Sequence, residues 1–125
     1  MEHHDPLDHL GRMLMASYVL ISKTLGWLPI PIGLPPIDGE WDGTIADDAI
    51  DAARISLRYL PLDETTQSLL VRLLLEWLTG RALWEAAAAQ EAPPTAWQYE
   101  AIAYTLTRIT SLHQVVEPRL RSDQD

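Results

Sequence analysis

Apolar residues recur at helical spacing in four stretches of the chain. In the first, Leu7, Leu10, Met13, Leu14, Tyr18, Ile21, Leu25 and Leu28 follow steps of three and four, while Met15, Val19 and Leu20 widen the arc beyond one face. Asp5, Pro6 and Asp8 supply an N-cap, a first helical position and an acidic first turn, so a helix is predicted over about residues 6–27. A helix apolar on more than one side is central to its domain or packs on a second copy or a partner. The second stretch, through Ile50, Ala53, Leu57 and Leu60, predicts a helix over about 46–60 that starts near Thr44 or Asp47 and stops at Pro61.

The third stretch is the densest, with Leu69, Leu70, Val71, Leu73, Leu74, Leu75, Trp77, Leu78, Leu83 and Trp84, and it predicts the core helix over about 64–90. Asp63 or Thr65 caps it, and Pro93-Pro94 lies past its end. Gly80 inside it costs about 1 kcal/mol relative to Ala, which points to a kink or a close helix crossing. In the fourth, Trp97, Ala101, Ile102, Leu106, Ile109, Leu112, Val115 and Val116 share one arc opposite Glu100, Thr107, Thr110, Ser111 and Gln114. A half-buried helix over about 95–117 is expected there, capped by Thr95 and ended by Pro118, with the tail 118–125 fraying.

Residues 29–43 hold four Pro and three Gly, so they form neither helix nor regular strand. Connections of this length are uncommon in compact domains and are usually functional or mobile. Ile30, Ile32, Leu34 and Ile37 suggest that this one packs across the bundle. The pattern as a whole predicts an all-α, single-domain four-helix bundle over 1–125, with a long Pro/Gly-rich loop between helices 1 and 2.

Composition narrows the function. The chain carries eighteen acids against eight Arg and one Lys, a formal net charge of −9, which disfavours direct binding to nucleic acid or to an anionic membrane surface. The apolar run from Met13 to Leu34 contains Lys23, Gly26, Pro29 and Pro31, which would break a membrane-spanning helix midway. There is no Cys, hence no disulfide, thiolate metal site or Cys nucleophile. The start of the chain lacks the positive region of a secretory signal, and a cytoplasmic protein is expected. Five Trp, four Tyr and no Phe mean that every large ring brings an N–H or O–H wherever it is buried.

Three constellations carry candidate chemistry. Asp38, Glu40 and Asp42 stand at positions one, three and five of a segment with Gly43 at six and Ile45 at eight, which resembles the opening of an EF-hand-type calcium loop. Position twelve is Ala49, so Asp48 or Asp51 would have to reach back, and the competing reading is a turn and helix cap. His3, His4, Asp5, Asp8 and His9 are metal-ligand types, with Asp5 and His9 four residues apart, although Asp5 and Asp8 also suit a helix start. Arg108-Ile-Thr-Ser-Leu-His113 resembles the Arg-x4-His motif of HEPN-type ribonucleases, compact helical domains that often act as dimers. That resemblance implies that Arg108 would hold phosphate and His113 would transfer a proton during attack by a 2′-hydroxyl. Ile109 stands where that family places a polar residue. Residues five apart on a helix project about 140° apart, so convergence would need a kink or a second subunit.

No Gly-x-Ser-x-Gly, no phosphate-binding Gly-rich loop with Lys and no Glu-x-x-His pair is present, and no cofactor is expected. Six acids, by contrast, fall within residues 38–51, which contain no Lys or Arg. The leading expectation is therefore a non-catalytic interaction protein (a small subunit, adaptor or inhibitor) that meets a protein with a basic surface through Asp38, Glu40, Trp41, Asp42, Asp47, Asp48 and Asp51. Self-association is expected through helix 1 or helix 3. The alternatives are a HEPN-like dimeric ribonuclease using Arg108 and His113, and a calcium-binding module using Asp38, Glu40, Asp42 and Asp48.

Overall fold

The computed structural model describes residues 5–37 and 42–122, and the side chain of Ser122 lies outside that description. Four α-helices account for most of it: α1 (Pro6–Leu25), α2 (Gly43–Ser56), α3 (Glu64–Ala89) and α4 (Ala96–Ser122). A 3-10 turn, Leu57–Tyr59, continues α2. Among the described residues there is no strand, and no helix is long and apolar enough to cross a membrane.

Each start is written locally. The Asp5 carboxylate accepts the Leu7 N–H at 2.9 Å with Pro6 at the first helical position. α2 begins about one turn earlier than the apolar pattern implies, because Asp42 Oδ1 accepts from Thr44 N–H at 2.9 Å and Ile45 N–H at 3.3 Å. Asp63 takes both the N–H and the hydroxyl of Thr66, at 2.8 and 2.7 Å, and these bonds hold its carboxyl below the usual range. Before α4, the Thr95 N–H donates to Gln98 Oε1 at 2.8 Å, half of a capping box. The amides of Gln98 and Gln90 exchange hydrogen bonds at 2.9 and 3.1 Å, tying the start of α4 to the end of α3.

α3 packs against all three other helices, α1 also packs against α4, and α2 touches no helix but α3. Trp77 Nε1 donates to the Leu14 carbonyl at 3.0 Å and Trp84 Nε1 to the Leu7 carbonyl at 2.7 Å, so α3 runs antiparallel to α1. These bonds satisfy the buried indole N–H groups that an all-Trp/Tyr aromatic set entails. Gly80 lies where α3 passes close to both α1 and α4: an added Cβ would lie 3.1 Å from Thr105 Cγ2 on α4 and 3.3 Å from Leu14 Cδ2 on α1. Of the two readings of Gly80, the crossing is the one observed, in an uninterrupted α3. The long connection runs back along α1, held by the Tyr18 hydroxyl donating to the Pro35 carbonyl at 2.6 Å.

A second boundary also differs from the pattern. α4 does not stop before Pro118 but continues through it to Ser122. A proline inside a helix costs about 3 kcal/mol. Here Val116 and Leu120 on either side of it are fully buried, and the Arg121 guanidinium lies 5.5 Å from the Trp27 ring centre, so burial of this last turn offsets the lost hydrogen bond.

Candidate functional site

The acidic segment divides into distinct roles. Asp38, Glu40 and Trp41 lie outside the described residues. Asp42 is spent on the α2 cap. Asp51 is gripped by Arg54, whose Nη2 and Nε stand 2.7 and 2.9 Å from Oδ1. Asp47 is half-buried and faces Arg81, with 3.5 Å between Oδ1 and Nε. Asp48 is exposed. A uniformly open acidic patch is therefore not what the described residues present, because α2 turns two of its acids toward arginines of this chain.

The outward side of α2 carries something the sequence reading missed. Ile45, Asp48, Ala52, Ile55 and Tyr59 follow steps of three and four, opposite the buried series Ala46, Ile50, Ala53 and Leu57. Ile45 is 54% exposed, Ile55 44% and Tyr59 82%. The signal was a second helical series in the same segment, legible only once the buried face was known.

Beside α2, Arg81 is 6% exposed. Its Nη2 is 3.4 Å from Glu85 Oε2, and its guanidinium carbon lies 5.9 Å from the centre of the Trp84 ring. Neither Arg81 Nε nor Asp47 Oδ1 has a hydrogen-bond partner among the described residues. Burial pushes the Asp47 carboxyl up by more than the adjacent guanidinium pulls it down. With Asp8, Arg12, Leu14 and Met15, Arg81 and Trp84 also line an open cleft of about 280 Å³ between α1 and α3. The cluster is an ionic clip between α2 and α3, and Asp8 and Arg12 bring one carboxylate and a second guanidinium to the cleft.

Arg108 and His113 diverge. Arg108 Nε donates to Glu76 Oε1 on α3 at 2.7 Å and its guanidinium lies 5.7 Å from the Tyr104 ring centre, contacts that hold it firmly charged. His113 is buried against α1, with Nε2 2.8 Å from Thr24 Oγ1. The Thr24 hydroxyl donates to the Leu20 carbonyl at 2.9 Å, so its oxygen is left to accept and His113 Nε2 carries the proton. Burial holds the imidazole pKa below its ordinary value, with Glu117, 3.7 Å from Nδ1, opposing the shift. The pair does not converge within one chain, and α1 screens His113 from a second.

The metal readings fare similarly. Among the described residues no group of three or more His, Asp or Glu is placed to hold a metal ion. Of the calcium-loop set, Asp38 and Glu40 are not described, Asp42 Oδ1 accepts backbone amides, and Asp48 stands on the outer face of α2. His3 and His4 lie outside the described residues, Asp5 caps α1, and His9 borders a shallow cleft against Tyr99. No family model, curated protein or solved structure matches this chain.

Proposed function

We propose that the protein is a non-catalytic interaction module, a small subunit, adaptor or inhibitor, that receives a partner protein on the outward face of α2. The observation that carries this reading is the exposed series Ile45, Ala52, Ile55 and Tyr59, with Asp48 inside it, on α2 and the turn that continues it, the helix that among the described residues packs on α3 alone. Apolar side chains repeating every three and four residues form a stripe that an amphipathic helix can cover. Asp42 and Asp48 add negative charge that favours a basic partner and speeds its approach. The contact surface thus shifts from an acidic loop to an apolar stripe edged with acids. Catalytic readings lack a comparable support, since Arg108 and His113 are each engaged on a different side of α4.

The test is recovery of a stoichiometric protein partner by the tagged chain, repeated with Ile55→Ser/Tyr59→Ser and with Asp48→Lys. The double variant should lose the partner, because anchors of this kind are worth about 1–3 kcal/mol each. Asp48→Lys should slow association and weaken its salt dependence. Undiminished recovery by both variants, with circular dichroism unchanged, would refute the reading.

A further inference from the structure

α4 carries two apolar stripes. Ile102, Leu106, Ile109, Leu112, Val116 and Leu120 face the core. A second series, Trp97, Ala101, Tyr104, Arg108, Ser111 and Val115, runs along the side nearest α3, as the Arg108–Glu76 contact shows. Trp97 is 65% exposed, Tyr104 64% and Val115 50%, and among the described residues no other helix covers them.

This second series has a symmetry that the core stripe lacks. Its steps are four, three, four, three and four, the same in either direction. Positions 97 and 115, 101 and 111, and 104 and 108 are equidistant from 106. A second α4 laid antiparallel about Leu106 therefore meets like with complement: indole on Val, Ala on Ser, and the Tyr104 ring on an Arg108 guanidinium. Small residues at the second layer let the helices approach, and cation–π contact at the centre repeats across chains what Tyr104 and Arg108 already do within one. Glu76 accompanies each Arg108, so the two guanidinium groups nearest the axis bring their own counter-charges.

The flank fits the same occupant. On the exposed face of α3, Leu75, Thr79, Ala82 and Ala86 follow the same spacing, with the exposed Arg72 one step before them. The combined face is about 27 Å long and about 20 Å across, so a pair would bury about 1,100 Å² in all, which is below the standard size but clears the roughly 1,000 Å² that a specific interface needs. We propose that the chain forms a two-fold dimer in which α4 packs antiparallel on α4 of a second copy, with Tyr104 of each chain over Arg108 of the other. Such an interface is isologous: a single surface patch meets itself. It leaves the outward side of α2 free and does not depend on the partner reading given for that helix.

Sedimentation or light scattering from about 1 µM to about 1 mM should show a dimer, and Tyr104→Glu should convert it to a monomer with circular dichroism unchanged. The chain has no Cys, so disulfides map the register directly. Mixing the Trp97→Cys chain with the Val115→Cys chain should give cross-chain disulfides faster than either chain alone. Ile55→Ser/Tyr59→Ser should leave the dimer intact. The proposal fails if the chain is monomeric throughout, if the dimer survives Tyr104→Glu, if like-with-like disulfides dominate, or if α4 instead captures a different protein while the free chain stays monomeric.

Discussion

On one side of α3, α1 and α4 pack through Leu70, Leu73 and Trp77 against Leu14, Ile21, Ile102 and Ile109, with an indole hydrogen bond crossing into α1. On the other side, α2 and the turn that continues it contribute Ile50 and Leu57 as their large fully buried side chains, next to Ala46 and Ala53. The magnitudes separate the two regions. Burying two large aliphatic groups is worth roughly 3–6 kcal/mol in all, less than the larger buried set that joins α1 and α4 to α3 provides. Isolated helices of 14 residues, the length of α2, are marginal in water, so α2 is ordered because α3 is there. The Arg81–Asp47–Glu85 contacts add little, because loose ion pairs at 3.4–3.5 Å hardly repay desolvation of a buried guanidinium. A three-helix core with a more weakly held fourth helix is the result, and the weakly held helix bears the proposed partner surface. Segments that open at low free energy are where binding faces are commonly found.

The comparison breaks most sharply at Trp77. Trp77→Ala should cost about 3–5 kcal/mol in global stability, measured by denaturant unfolding, since it empties the core and leaves the Leu14 carbonyl without its side-chain donor. Ile50→Ala should cost about 2–4 kcal/mol, but the loss should show as faster amide hydrogen exchange confined to residues 43–59. Equal deprotection of all four helices by Ile50→Ala would mean that α2 belongs to the same cooperative unit as the rest.

A smaller effect tests the ionic clip. A Cβ at Gly43 would fall inside the Arg81 guanidinium. Gly43→Ala should therefore lower stability by about 1 kcal/mol in spite of the better helix propensity of alanine, and should raise it when Arg81→Met is also present. An unchanged sign in the double variant would show that the guanidinium does not set the constraint at Gly43.

The smallest effect concerns His113. Its folded pKa is lowered, so the native state disfavours the imidazolium. Stability is insensitive to this group above its unfolded pKa of about 6.5 and falls as pH drops below that value, where the unfolded chain takes up the proton first. Denaturation at pH 7.5 and pH 5.5 should show this loss in the wild type and a smaller one in His113→Gln. Equal losses would assign the pH dependence to other groups.

Much of the architecture was legible without coordinates. Asp5, Asp63 and Thr95 mark helix starts through bonds made within three residues, and Pro61 marks an end, so local chemistry suffices. Most of the core positions followed from apolar spacing, but Trp97 and Val115, expected on the buried arc of the fourth helix, are exposed, because α3 and α1 cover a face centred on Ile109 and leave the edge of that arc open. The site was far less legible. Nothing near Asp47 in sequence says that Arg81, 34 positions on, will take it from the surface, and Arg108 and His113 read as a pair until α3 and α1 claim one each.

What the sequence determined by itself was the number of the helices and most of their starts, because caps and breakers act over one or two turns. What only the tertiary structure decided was which outer faces stay uncovered and which charges face their own chain. α4 crosses Pro118 because Leu120 is buried there, and the stripes on α2 and α4 are exposed because no other helix reaches them. Both outcomes depend on contacts between residues far apart in sequence, whose energies no local pattern contains.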